Sequence, residues 1–139
     1  MSTKDIDDIF SPIKEMRKAI FEVGAKNGWE RNWINDDVAG FISDIEPVYT
    51  EIDELKSLSN LKVVFPSADY ILAMKCRAAR AGSDDSPSHD LSDAISLCKG
   101  LGLRSKRDIE TAIARFFPID SLPDKSDFFI NEIVSHLNE

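Results

Sequence analysis

The chain has 139 residues, 42% apolar and 30% charged, with a formal net charge of -8. That length supports one ordinary core and leaves little room for two, and the acidic balance disfavours nonspecific binding to a nucleic-acid backbone, which needs a basic face. The apolar runs are only a few residues long, and the first ten residues lack the basic-then-apolar layout of a secretory leader, so a soluble, cytoplasmic protein without a membrane span is expected.

Residues 4–10 read as a strand, with Ile6 and Phe10 on one face and Asp5, Asp7 and Ile9 on the other, stopped at Ser11-Pro12. Ser11 is a candidate helix cap with Pro12 in the first turn, after which Ile13, Met16, Ala19, Ile20 and Val23 recur at helical spacing until Asn27-Gly28. Trp29, Trp33, Ile34, Val38 and Phe41 are anchors without a long period and predict a short helical turn or packed loop. Residues 61–65, closed by Pro66, form the best second strand, and 48–52 offers another.

The remainder reads as helices over about residues 68–81, 88–99, 106–116 and 125–137, with Ser67 and Ser105 as caps. Ser105 and Asp108 have the spacing of a capping box, and residues 82–87 form the one obvious loop. The expected fold class is α+β: a small mixed sheet in residues 1–66 followed by a helical bundle in 67–139, as one domain. Cys76 and Cys98 both fall in predicted helices without metal-ligand spacing, so buried free thiols are expected.

Asp5 and Asp7, two apart on a strand, point to the same side with Thr3 beside them. Two hard oxygen ligands so placed suit a magnesium ion that bridges nucleotide phosphates, although an acidic N-terminus is more commonly a solvated end. Asp8 departs from the pattern by sharing a face with Ile6 and Phe10. Lys75 lies within the apolar stripe of Ile71, Leu72, Met74, Ala78 and Ala79, so its ammonium must snorkel, meet a carboxylate or face a polar cavity. Asp90 and Asp93 border the stripe of the next helix, and a bridge from Lys75 to either is the natural way to satisfy that lysine. His89 and His136 lie far apart in sequence and outside any zinc or dyad spacing, and no Walker loop, G-x-G-x-x-G or G-x-S-x-G is present.

In order, Thr3-Lys-Asp5-Ile-Asp7, Asn35-Asp-Asp-Val-Ala-Gly40-Phe41, Tyr70-Ile-Leu-Ala-Met-Lys75 with Ala79-Arg80, and His89-Asp90-Leu-Ser-Asp93 resemble uncharacterised nucleotidyltransferase-like bacterial proteins related to abortive-infection toxin nucleotidyltransferases. The similarity extends through Leu101-Gly-Leu and Arg115-Phe-Phe-Pro118. It implies a truncated nucleotidyltransferase-like fold in which Asp5 and Asp7 hold magnesium and act in catalysis together with Lys75. It further implies that Lys75, Arg80, Asp90 and Asp93 meet the substrate, a nucleoside triphosphate. Asp53 and Glu51 are candidates for a third carboxylate.

Two departures are visible. His89 stands where the family pattern has arginine, and only two residues precede Thr3, where the family has a strand, a glycine turn and a helix. Small residues in such a turn let backbone N–H groups approach phosphates closely. The resemblance therefore leads to a magnesium-dependent nucleotidyl transferase of a toxin–antitoxin or defence system, in its complete form. The alternative is a noncatalytic module that assembles with itself or a protein partner through an open sheet edge.

Overall fold

The computed structural model describes residues 6–79 and 89–139. The chain is a mixed α/β protein, with five α-helices and two sheets of two strands each among the described residues. It divides into two compact units, Met1–Ile42 and Ser43–Glu139.

The first unit begins with β1 (Ile6–Asp7), runs through α1 (Ile13–Asn27) and returns to β2 (Ile34–Asn35). β1 and β2 are parallel, with Ile6 opposite Ile34 and Asp7 opposite Asn35. A parallel pair needs a crossover, and α1 supplies it. The ladder is held by Ile6 N–H donating to the Trp33 carbonyl at 2.8 Å and Asp8 N–H donating to that of Asn35 at 2.9 Å. The strand expected over residues 4–10 is thus only two residues long in its described part, because its partner offers only two residues to pair with. Ser11 does not cap α1; Pro12, with extended backbone, occupies that position, and its carbonyl accepts the Met16 N–H.

The Trp29–Phe41 region is anchored by Trp33, whose indole N–H donates to the Ile20 carbonyl at 2.9 Å. Gly24 is required there: a Cβ on it would sit 2.9 Å from the Trp33 ring. Trp29 packs on Trp33 with ring centres 4.7 Å apart, and Arg17 pairs with Asp36 at 3.1 Å to join α1 to the segment after β2.

The second unit opens with the antiparallel pair β3 (Tyr49–Glu51) and β4 (Val64–Pro66), Thr50 lying opposite Phe65. The expected strand at 61–65 therefore starts three residues later and takes in Pro66, while 48–52 does supply its partner. Four helices follow: α2 (Ala68–Arg77), α3 (His89–Leu101), α4 (Lys106–Ala114) and α5 (Asp124–Leu137).

α2 packs against each of the other three, and α5 also packs against α3 and α4. This explains why Leu72, Ala73 and Cys76 of so short a helix are wholly buried, against a core that includes Leu91, Cys98, Ile109, Ile113, Ile130 and Ile133. α2 ends at Arg77, earlier than the periodicity predicts, with Ala78 N–H closing on the Met74 carbonyl.

Local chemistry fixes the other helix ends. Ser105 accepts the Asp108 N–H while the Asp108 carboxylate accepts the Ser105 N–H, a complete capping box at α4. α3 stops at Gly102, whose φ of 73° is left-handed; Leu103 N–H reaches back to the Cys98 carbonyl and Gly102 N–H to that of Lys99. No described helix is long and apolar enough to cross a membrane.

Candidate functional site

Lys75 lies in the last turn of α2 and points out of an apolar stripe toward the start of α3. Its ammonium meets Asp90 at 2.8 Å and Asp93 at 3.3 Å. The two aspartates are three residues apart and so share one face of α3. Asp90, in the first turn, also faces the positive end of the helix dipole. Lys75 is 23% exposed, whereas Asp90 and Asp93 are 68% and 52% exposed. Burial of the lysine stem works to lower its pKa, but hydrogen bonds and charge from Asp90 and then Asp93 outweigh it and hold the ammonium above its ordinary value. Two of its three donors are engaged, and two carboxylates outnumber one ammonium. The trio braces α2 against α3 and leaves a negative edge, which suits a cation better than a phosphate.

Beside the trio runs an open groove of about 520 Å³ lined by Ala68, Ile71, Lys75, Asp93, Ser96, Leu97, Gly100 and Leu101.

The remaining candidates distribute as follows. Asp7 is exposed on β1 and has no ion-pair partner among the described residues. Asp5, Thr3, Arg80 and the loop at 82–87 lie outside the described residues. Asp8, anomalous in the strand pattern, is exposed and accepts the N–H of Ile9 at 2.7 Å. Glu51 pairs with Lys62 at 3.4 Å and Asp53 with Lys56 at 2.7 Å, so both carboxylates are already matched by local lysines. His89 begins α3, and His136 lies 3.2 Å from Glu139 near the end of the chain. Asp7 belongs to the first unit and the Lys75 trio to the second. Among the described residues no three His, Cys, Asp or Glu side chains gather as a metal site.

Sequence reasoning missed a second polar cluster at the opposite end of α2. Arg115 pairs with Asp69 at 3.2 Å. Burial works to raise the Asp69 pKa, but bonds from the Ser67 hydroxyl, the Tyr70 N–H and Arg115 outweigh it and hold the carboxyl below its usual value. Next to it, the Tyr70 hydroxyl accepts the Ser43 N–H at 3.1 Å, the Ser43 hydroxyl donates to the Phe116 carbonyl at 2.6 Å, and the Tyr70 and Phe116 rings meet edge to face. The signal available in sequence was the polar Ser67-Ala-Asp69 start of α2 before a buried tyrosine; nothing in the sequence pointed to Ser43.

Cys76 and Cys98 are buried free thiols, their pKa values pushed up by burial to about 12 and about 11. They act as small apolar side chains and offer no nucleophile. Comparison with known proteins adds no relative: no family model matches the chain, and neither a curated protein nor a solved structure is significantly similar to it.

Proposed function

We propose that the chain is a nucleotidyltransferase-like protein whose complete form carries out magnesium-dependent nucleotidyl transfer, in a toxin–antitoxin or defence setting. The observation that supports this reading is the meeting of Lys75 with Asp90 and Asp93. The three residues belong to two segments of the ordered motif pattern, Tyr70–Lys75 and His89–Asp93, and their meeting is compatible with that pattern as well as with the helical spacing alone. In this reading Lys75 is the brace that fixes α2 to α3, and Asp90 and Asp93 orient it beside the groove. Asp7, with Asp5, would hold magnesium, which when bound would neutralise the charge that develops in transfer.

Thermal unfolding of the full chain with ATP, GTP, CTP or UTP, with and without magnesium, tests the reading. A ligand held at a hundredfold its Kd stabilises the folded state by about 2.7 kcal/mol. Magnesium-dependent stabilisation by one nucleotide, lost in the Asp5→Asn/Asp7→Asn variant, is the expected result. The absence of a shift with all four nucleotides would sink it.

A second reading, a noncatalytic module that assembles through an open sheet edge, is favoured by a different observation. Both sheets have only two strands, and Ile6, Val48, Tyr49 and Phe65 stand exposed on or beside them. Unpaired edges with apolar side chains are templates for pairing with another chain. This reading expects an oligomer that Ile6→Lys or Ile6→Pro disperses, and a monomeric mass before and after the substitution counts against it.

A further inference from the structure

The groove between α2 and α3 has an apolar floor and a charged end. Ile71 and Leu97 form the floor, and Leu101 remains 38% exposed at one end. On α3 the lining runs from Asp93 to Leu101, a length of about 12 Å or a little over two helical turns at 1.5 Å per residue. Asp93 and, next to it, Asp90 close the other end, where among the described residues two carboxylates face the one ammonium of Lys75.

Gly100 supplies an independent observation. It lies in the last turn of α3, where glycine is a weaker helix former than alanine. The fold does not require it: its φ is not among the positive ones, and an added Cβ would meet nothing within 4 Å. A glycine that weakens its helix and relieves no clash in its own chain leaves the groove wall bare. That is the condition under which another backbone can approach closely.

We propose that the α2–α3 groove docks a short amphipathic helix of a partner protein. Its apolar side chains, spaced i, i+3 or i+4 and i+7, would lie on Ile71, Leu97 and Leu101, and a lysine or arginine at one end would meet Asp90 and Asp93. Two turns of helix match the length of the groove, and helix-in-groove binding reads this spacing of anchors. The paired carboxylates select a basic partner and repel an anionic ligand. A second copy of this chain, with its net charge of -8, is the poorer electrostatic match. The proposal rests on the groove alone and stands apart from the transferase reading.

The probe is a synthetic helix-stapled peptide with three leucines at that spacing and a terminal arginine, titrated into the isotopically labelled full chain and followed by amide NMR shifts. Shifts confined to Ala68, Ile71, Ser96, Leu97, Gly100 and Leu101 are expected, with binding weakened at least about tenfold when glutamate replaces the arginine. Gly100→Leu, which fills the groove from a position with open space, should weaken binding by about the same factor without lowering the melting temperature. Ser96→Trp is a second blocking variant from an exposed position. No shifts, shifts centred on β3 and β4, or unaltered binding by both blocking variants would overturn the proposal. So would a concentration-dependent dimer that the blocking variants abolish, since the occupant would then be a second copy.

Discussion

The hydroxyl of Ser126 donates to the carbonyl of Cys76 at 2.7 Å. Ser126 is 1% exposed, the one polar residue in an otherwise apolar core among the described residues. The last carbonyls of a helix have no partner within it, and a buried one must find a donor elsewhere. α2 ends inside the bundle, so the first turn of α5 provides that donor. Ser126→Ala leaves the carbonyl unsatisfied and should cost about 1–3 kcal/mol in urea denaturation. Ser126→Val should cost at least as much, because it adds bulk at the same place; an unchanged midpoint in both would contradict this role.

The Lys75 brace makes a prediction about pH. Its folded pKa is raised, so its contribution is complete below the unfolded value of about 10.5 and fades as pH rises through the higher folded value. Lys75→Met keeps the apolar stem and frees two well-solvated carboxylates, so its cost should be modest, about 1 kcal/mol or less. That cost should be equal at pH 7 and pH 9 and shrink only above about 10.5. Chemical denaturation at three pH values measures it, and a difference that disappears between pH 7 and pH 9 would be inconsistent with the pairing.

Asp69 has the opposite sign. Its pKa is lowered, so its stabilisation is present above the ordinary value of 3.8 and is lost as pH falls through the folded value. Asp69→Asn should lower stability by about 1 kcal/mol at pH 7. Acid unfolding should show the variant and the parent converging below pH 3.8, the side on which the parent carboxyl also becomes neutral.

At α4, Ser105→Ala removes the acceptor for the Asp108 N–H and should cost about 1 kcal/mol. Ser105→Asp restores a capping oxygen and should recover most of that loss by thermal melting. Equal losses in the two variants would mean that the cap is not what Ser105 contributes.

Both cysteines should resist a thiol reagent at pH 8 in the folded protein, because they are wholly buried and their thiols titrate at about 12 and about 11. Reaction should follow unfolding and accelerate with urea. Rapid labelling of either thiol without denaturant would contradict the packing of α2 against α3.

What the sequence made legible, it did through local rules. The capping box at Ser105 and Asp108 needs only four consecutive residues, and the Lys75 bridge follows from one lysine on an apolar stripe with two aspartates on the edge of the next. The burial of Cys76 and Cys98 follows from the same helical periods. What it hid depends on pairing at a distance. β2 has two residues, too few for a period to show, and exists because β1 needs a parallel partner. Ser126 resembles any solvated serine in a first turn until α2 is seen to end against it. The Asp69–Arg115 pair spans 46 residues, beyond the reach of any spacing rule. Of the expected site, the lysine and two aspartates could be read from helical faces, whereas the groove beside them exists only once α2 and α3 are packed.

Ten residues of α2 touch three helices drawn from 49 later positions, His89–Leu137, so α2 cannot leave the core without breaking its packing against all three. Amide hydrogens of Leu72, Ala73, Met74 and Cys76 can therefore reach solvent only when the whole bundle opens, and their exchange with deuterium should report its global free energy. The two-residue ladder of β1 and β2 has no such cover and should lose its hydrogens far sooner, which makes isotope exchange a map of which unit yields first.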